Sequence, residues 1–426
     1  MAHQLTALIV FVALFAIATL RGVHVGVVMF AAACGVGVWL AGLPLKDVVG
    51  GFPVGIMVLL VGVTYFFAIA QANGTIDRVI EAAVGRVGDN AVLLPFVFFA
   101  LTGLIAAMGS PLASLVVAPV GMPIGRKQGV DPMLMALAIG TGFSAGGFAP
   151  TSLFGIVSYG TARQASIDLN PLTLFAVAVG MNLALLAAAF VFYGGVELVR
   201  RRGAAALTAR RAEPGAEATA RHPFAPRQAA TIVCTVGLVV VIVAGSVAGL
   251  EPDVGVLCFA FGAALTLMDP GAGNKAVSRI DWSTVLLVGG IGTFVAVLQK
   301  MGVVDLLGEA AKSVGVPIVA ALAICFIGGL VSAFASTTGI LVALVPLALP
   351  LVASGAVGGW ALISALAVCS SIVDVSPYST VGATLVATAA QEERVRMTSL
   401  LAWWGMSLVV IGPLILVGIL VLPSLP

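Results

Sequence analysis

Residues 71–83 read QANGTIDRVIEAA, and residues 299–311 read QKMGVVDLLGEAA. At a constant offset of 228, Gln71 aligns with Gln299, Gly74 with Gly302, Asp77 with Asp305, Glu81 with Glu309, and an Ala pair with an Ala pair. Working outward, Gly103-Leu104 before Gly109-Ser110-Pro111 answers to Gly329-Leu330 before Ala335-Ser336-Thr337. Pro150-Thr151-Ser152 and the following Gly155 answer to Pro377-Tyr378-Ser379 and Gly382, with the offset drifting only to 226 and 227. An offset held over that much chain marks a duplicated unit.

The setting of the repeat is apolar. Hydrophobic residues make up 61% of the 426, charged residues 9%, and mean hydropathy is +1.17. A soluble domain carries about 25% charge, so this surface faces lipid. Apolar runs at 5–20, 22–42, 50–71, 131–160 and 171–198, then 229–249, 253–268, 283–300, 358–388 and 398–424, predict ten membrane spans. The first run lacks a basic leader and reads as a span, not a cleaved signal. Cys34, Cys234, Cys258, Cys325 and Cys369 lie scattered in apolar runs without a CxxC and read as buried thiols. Trp39, Trp282, Trp403 and Trp404 fall near the predicted span ends, as interfacial anchors do. His3, His24 and His222 sit in tails or at a helix end and suggest no role. There is no Walker loop for ATP, no HExxH zinc motif and no paired intramembrane aspartate, so the chain reads as no enzyme, with no cofactor and no nucleic-acid partner. A channel or an intramembrane enzyme stays as the alternative outside transport.

Residues 199–228 carry Arg200, Arg201, Arg202, Arg210, Arg211, Arg221 and Arg227 with three prolines, and read as a cytoplasmic linker. With it inside, sixteen of the twenty Lys and Arg fall on the cytoplasmic side, and Lys46, Arg163, Lys300 and Lys312 fall outside. Both termini are then extracytoplasmic and the protein is a multi-pass inner-membrane protein. Residues 1–198 and 229–426 each hold five spans, an odd number, so the linker delivers the second unit upside down. The predicted fold is all-α and polytopic: two inverted repeats, each of five transmembrane helices plus one re-entrant hairpin. The Asp77/Glu81 and Asp305/Glu309 segments read as short interfacial helices on opposite faces.

The hairpins are predicted at 90–125 and 317–353. In each, an apolar arm meets a polar break, Gly109-Ser110-Pro111 or Ala335-Ser336-Thr337-Thr338-Gly339, and a shorter arm returns. The fourth span of each unit is broken as well, at Ser144, Gly146-Gly147 and Pro150-Thr151-Ser152, and at Asp374, Ser376-Pro377 and Tyr378-Ser379-Thr380. Lipid cannot satisfy opened backbone groups, so such breaks must line an enclosed or watery space. Half-helix N-termini suit carboxylates, and freed carbonyls and hydroxyls suit a hard cation. The candidate substrate site is therefore Gly109, Ser110, Pro111, Pro150, Thr151, Ser152, Ser336, Thr337, Thr338, Pro377, Tyr378, Ser379 and Thr380. The candidate cation site is Ser144, Gly146, Gly147, Ser336, Gly339, Asp374 and Ser376. Asp374 is the one acid deep in a span, and intramembrane carboxylates default to functional roles, here a cation ligand or a proton carrier. Against this stands simple packing, the usual role of Gly, Ser and Thr in membrane helices.

The stretches 108–114 (MGSPLAS), 122–137 (MPIGRKQGVDPMLMAL) and 144–156 (SAGGFAPTSLFGI) resemble the MatC dicarboxylate (malonate) carrier family, of the ion transporter superfamily that also holds the divalent anion:sodium symporters. The resemblance implies a homodimer, a mobile transport body built from hairpins and broken helices, elevator-type alternating access, and ion-coupled uptake of a small C3–C4 dicarboxylate such as malonate. A monocarboxylate or an inorganic oxyanion is the alternative cargo. The symporter relatives carry Ser-Asn-Thr at each hairpin tip; here the tips hold Gly109-Ser110-Pro111 and Ser336-Thr337-Thr338, without the amide. Sodium and proton coupling are both compatible with these residues.

Overall fold

The computed structural model describes residues 2–87, 90–111, 113–164, 167–200, 225–247, 253–303, 306, 317–334, 337–353, 355 and 357–425. Most of the 199–228 linker, Asp305, Glu309 and Ser336 lie outside these residues. Among the described residues every regular element is helical.

In chain order the first unit holds α1 (Ala2–Leu20), α2 (Val25–Gly35, continued by a π-turn over Val36–Leu40), α3 (Leu45–Val49), α4 (Val54–Ala72), α5 (Thr75–Val87), α6 (Leu94–Ala107), α7 (Ala113–Lys127), α8 (Pro132–Gly146), α9 (Leu153–Gln164) and α10 (Pro171–Phe192). The second unit holds α11 (Pro226–Val247), α12 (Val254–Met268), α13 (Pro270–Val277), α14 (Trp282–Lys300), α15 (Pro317–Ser332), α16 (Thr337–Ala353), α17 (Gly359–Ile372), α18 (Thr380–Thr388) and α19 (Arg394–Leu416).

The breaks appear where the polar residues fall. Gly109, at φ +77°, turns the chain out of α6. Gly74 and Gly302, 228 apart, both end their helices at left-handed φ, and so do Gly129 and Gly355 after the return arms. The first return arm, α7, carries two interior prolines four residues apart, Pro119 and Pro123, neither of which has an N–H to give the carbonyl four residues before it. The second break is shorter than the sequence suggests: Thr337, Thr338 and Gly339 form the first turn of α16. Threonine is tolerated in a first helical turn because those N–H groups have no intrahelical partner.

Five helices among the described residues are long and apolar enough to cross a membrane: α1, α4, α10, α14 and the run Gln391–Ser424. Two of the other expected spans are broken into shorter helices, α8–α9 and α17–α18, and α2 continues through a wider π-turn to Leu40. The chain is thus a multi-pass helical membrane protein. Because α19 begins at Arg394, Trp403 and Trp404 sit roughly 13 Å from its start, and Trp404 packs on Tyr193 with ring centroids 5.9 Å apart.

Packing is crosswise between units. α2 lies on α14 and α12 lies on α4. Both contacts are backbone to backbone: a Cβ at Gly290 would sit 1.8 Å from the Gly26 carbonyl oxygen, and one at Gly62 would sit 2.5 Å from that of Gly255. Only glycine permits such approach. α8 and α17 form the centre, buried from Met133 to Gly146 and from Ala361 to Ile372. The return arms cross over too, α7 onto α18 and α16 onto α9.

Polar contacts tie the elements together outside the apolar core. His24 bonds Ser283, Asn73 bonds Thr231, Arg227 pairs with Asp269, Arg396 pairs with Asp131 and Arg126 with Glu392. The Lys300 ammonium donates to the Asp47 carbonyl at 2.8 Å, which brings the end of α14 beside the segment that leads into α4, so α4 and α14 run antiparallel.

Candidate functional site

Each hairpin turn meets the break of its own unit. Thr151 Oγ1 donates to the Ala107 carbonyl at 2.6 Å, and Ser152 Oγ donates to that of Ala106 at 2.7 Å. The Thr151 hydroxyl thereby satisfies the Ala107 carbonyl at the end of α6, while the Ala106 carbonyl also accepts from the Gly109 amide at 2.8 Å. Gly109 lies against the Thr151 carbonyl and the side chains of Val63 and Phe67 on α4, where a Cβ would come within 2.7 Å of Val63. In the second unit the Ser332 and Thr337 hydroxyls are 3.0 Å apart, and Thr337 Oγ1 donates to the Ser370 carbonyl at 3.5 Å. The Asp374 carboxyl lies beside the hydroxyls of Ser379 and Thr337. Ser379 also caps α18, accepting from the Gly382 amide at 3.1 Å and donating back to the Asp374 carbonyl.

The two broken spans are joined at the centre. Ser144 Oγ donates to Ser371 Oγ at 2.9 Å, across the crossing of α8 and α17, and these serines are 227 apart, so they are repeat partners. Asn182 on α10 donates to Ser144 Oγ at 3.1 Å. Asn182 is fully buried and the sequence reading passed over it; its signal was a lone amide inside the apolar run 171–198.

The proposed residues divide by environment. Ser144, Gly146, Gly147, Thr151, Ser152, Thr337, Thr338, Asp374, Ser376 and Ser379 are buried together at the breaks. Ser110, Pro150 and Pro377 are half-buried, while Pro111, Tyr378 and Thr380 are exposed. The Tyr378 ring stacks on Phe334 at 5.4 Å. Gly146 and Gly147 have packing duties: a Cβ at 146 would lie 2.0 Å from the Gly103 oxygen, and one at 147 would lie 2.6 Å from the Phe154 ring. Gly339 meets only Leu287, at ordinary contact distance. Among the described residues no lysine or arginine is buried, and no cluster of three His, Cys, Asp or Glu side chains is placed to hold a metal ion.

A cavity of about 280 Å³ lies between α4 and α14 on one side and α9 and α16 on the other, bordered by Phe52, Thr161, Gln299 and Val342. It lies at the Lys300 end, and none of the residues proposed from sequence lines it.

Broken, buried helices crossing inside a multi-pass helical body define a membrane protein whose interior, and not its rim, carries the polar chemistry. Residues 1–147 match the family model of the dicarboxylate carrier protein MatC N-terminus, which is the family the sequence resembles. The fold is similar to that of the YdaH transporter of Alcanivorax borkumensis, described as having an unusual topology. Its TM-score is 0.54 at 14% identity, covering 87% of this chain and 86% of that chain. No curated protein matches in sequence. The family model describes a carrier, and the solved structure is described as a transporter.

Proposed function

We propose that this protein is a secondary active carrier of small organic anions, taking a C3–C4 dicarboxylate such as malonate together with a coupling cation. The observation that carries the reading is the meeting of each hairpin with the broken span of its own unit, the two broken spans being joined by the Ser144–Ser371 hydrogen bond. Support for the cargo comes from the dicarboxylate carrier match over residues 1–147. In this reading Gly109 to Pro111, Thr151 and Ser152 face the substrate from one unit, and Ser336 to Thr338 and Pro377 to Thr380 from the other. Asp374, Ser376 and the α17 break hold the cation, Na⁺ or H⁺. The units are inverted repeats of five spans and a re-entrant hairpin each, a reading supported by antiparallel α4 and α14 and the mirrored glycine contacts. The cavity beside Gln299 is the approach from the Lys300 side, and transport proceeds by elevator motion within an inner-membrane homodimer whose linker is cytoplasmic.

Counterflow in proteoliposomes tests this. Preloaded malonate should accelerate uptake of labelled malonate, and competition across mono- and dicarboxylates and oxyanions should rank the C3–C4 diacids first. Flux without trans-stimulation would make the protein a channel, and a chemically altered substrate would make it an enzyme.

A further inference from the structure

Asn182 is a fully buried amide that the proposed site does not use. Its amide nitrogen spends both hydrogens, one on Ser144 Oγ at 3.1 Å and one on the Ala178 carbonyl at 2.9 Å. Its Oδ1 has no partner. Turning the amide over would set Oδ1 against the Ala178 carbonyl oxygen, so the orientation is fixed. Ser144 accepts from Asn182 and gives its own hydrogen to Ser371, and Ser371 gives its hydrogen to the Val368 carbonyl at 3.1 Å. The chain of hydrogen bonds therefore has one direction, from α10 through α8 to α17.

The chain ends close to both breaks. Ser144 lies three residues before Gly147, and Ser371 three before Asp374, whose amide donates to the Ser371 carbonyl. On stability alone a leucine would serve better at position 182, since a buried acceptor without a donor is unfavourable. The amide contributes something else: it sets the registry of two helices that carry opposite halves of the site.

We propose that Asn182 is a positioning residue that clamps the two broken helices through the Ser144–Ser371 pair, holding the two half-sites as one body. The transport readout rests on the proposed function, and the cross-linking readout does not. Asn182→Leu removes both donors at similar size. The variant should fold with an unchanged or raised unfolding midpoint, while KM for malonate rises about tenfold, the worth of one buried hydrogen bond, and the maximal rate changes less. Combining it with Ser371→Ala should add little to the KM effect, because both cut the same chain. Additive losses, or an unchanged KM, would overturn the clamp.

The second arm needs no substrate. On a cysteine-free background, Ser144→Cys with Ser371→Cys should cross-link on mild oxidation, and adding Asn182→Leu should slow that reaction several-fold. Equal cross-linking rates with and without Asn182→Leu would overturn the proposal even if no dicarboxylate is carried. Should malonate flux fail while cross-linking slows as expected, the clamp stands and the function reading falls.

Discussion

Gly146→Ala separates packing from ligand chemistry at a residue the sequence places in the cation site. The new Cβ would meet the Gly103 oxygen at 2.0 Å, its carbonyl carbon at 2.7 Å and its Cα at 2.8 Å. All three are backbone atoms, so no rotamer change relieves the clash. Restoring a 3.4 Å contact requires α6 and α8 to part by roughly 1.4 Å at that point. α8 is buried along its whole length from Met133 to Gly146, so the shift also disturbs α7, α10 and α17. Overpacking of this kind costs about 3 kcal/mol, the upper end of the usual range. At about 2 °C per kcal/mol for a large domain, the unfolding midpoint should fall by roughly 5 °C or more. The assay is thermal unfolding of purified protein in detergent, with size exclusion to check monodispersity. Gly180→Ala is the control, since its Cβ meets nothing within 4 Å and its helix should gain slightly. A normal midpoint in Gly146→Ala together with lost cation dependence would refute the packing account and return the residue to the cation site.

Further outcomes follow from single contacts. Thr151→Val strips the hydroxyl that satisfies the Ala107 carbonyl at 2.6 Å; it should destabilise by about 1–3 kcal/mol and raise KM, measured by thermal unfolding and uptake. Ser379→Ala removes the α18 cap and should lower stability by about 1 kcal/mol, read in the same unfolding assay. Cysteine at position 46 should react with an impermeant thiol reagent only from outside and cysteine at 275 only from the cytoplasm; labelling of both from one face would break the sidedness argument.

Much of the architecture was legible because a membrane leaves few options. Apolar runs must be helices, and Gly109-Ser110-Pro111 or Ser376-Pro377 in mid-run must be a break. The constant offset then links such breaks across the chain, and Gly74 and Gly302 do share a left-handed φ. The site was legible only as a list of residues. Sequence could not tell that Gly146 is held against Gly103 while Gly339 is in open contact, because close approach depends on which helix lies opposite. Nor could it tell that Tyr378 faces outward onto Phe334 while its repeat partner Thr151 folds inward onto Ala107. Asn182 leaves no such mark, because α10 runs unbroken from Pro171 to Phe192. The crosswise packing of α7 on α18 and α16 on α9 is long-range and leaves no local trace.

The repeated sequence is unequal in chemistry, and Asp374 is where this bears on the proposed transport. Ser144 and Ser371 are like partners, but Asp374 answers to Gly147, so one half-site has a carboxyl group and the other has none. Among the described residues no buried lysine or arginine accompanies it. A dicarboxylate seated at the same breaks would meet a like charge: at about 6 Å and an effective dielectric of about 20, each substrate charge is opposed by roughly 3 kcal/mol. A cation or a proton at Asp374 removes that opposition, and substrate affinity should then rise with the concentration of the coupling ion. Asp374→Asn keeps the shape and the neighbouring Ser379 and Thr337 hydroxyls while deleting the charge. In proteoliposomes the variant should fold normally and exchange malonate with an affinity that no longer depends on the ion. Uphill accumulation driven by an Na⁺ or pH gradient should be lost, and the gradient that drives the wild type identifies the ion. Gradient-driven accumulation at wild-type levels in Asp374→Asn would show that the carboxyl only packs, and that the coupling ion binds elsewhere.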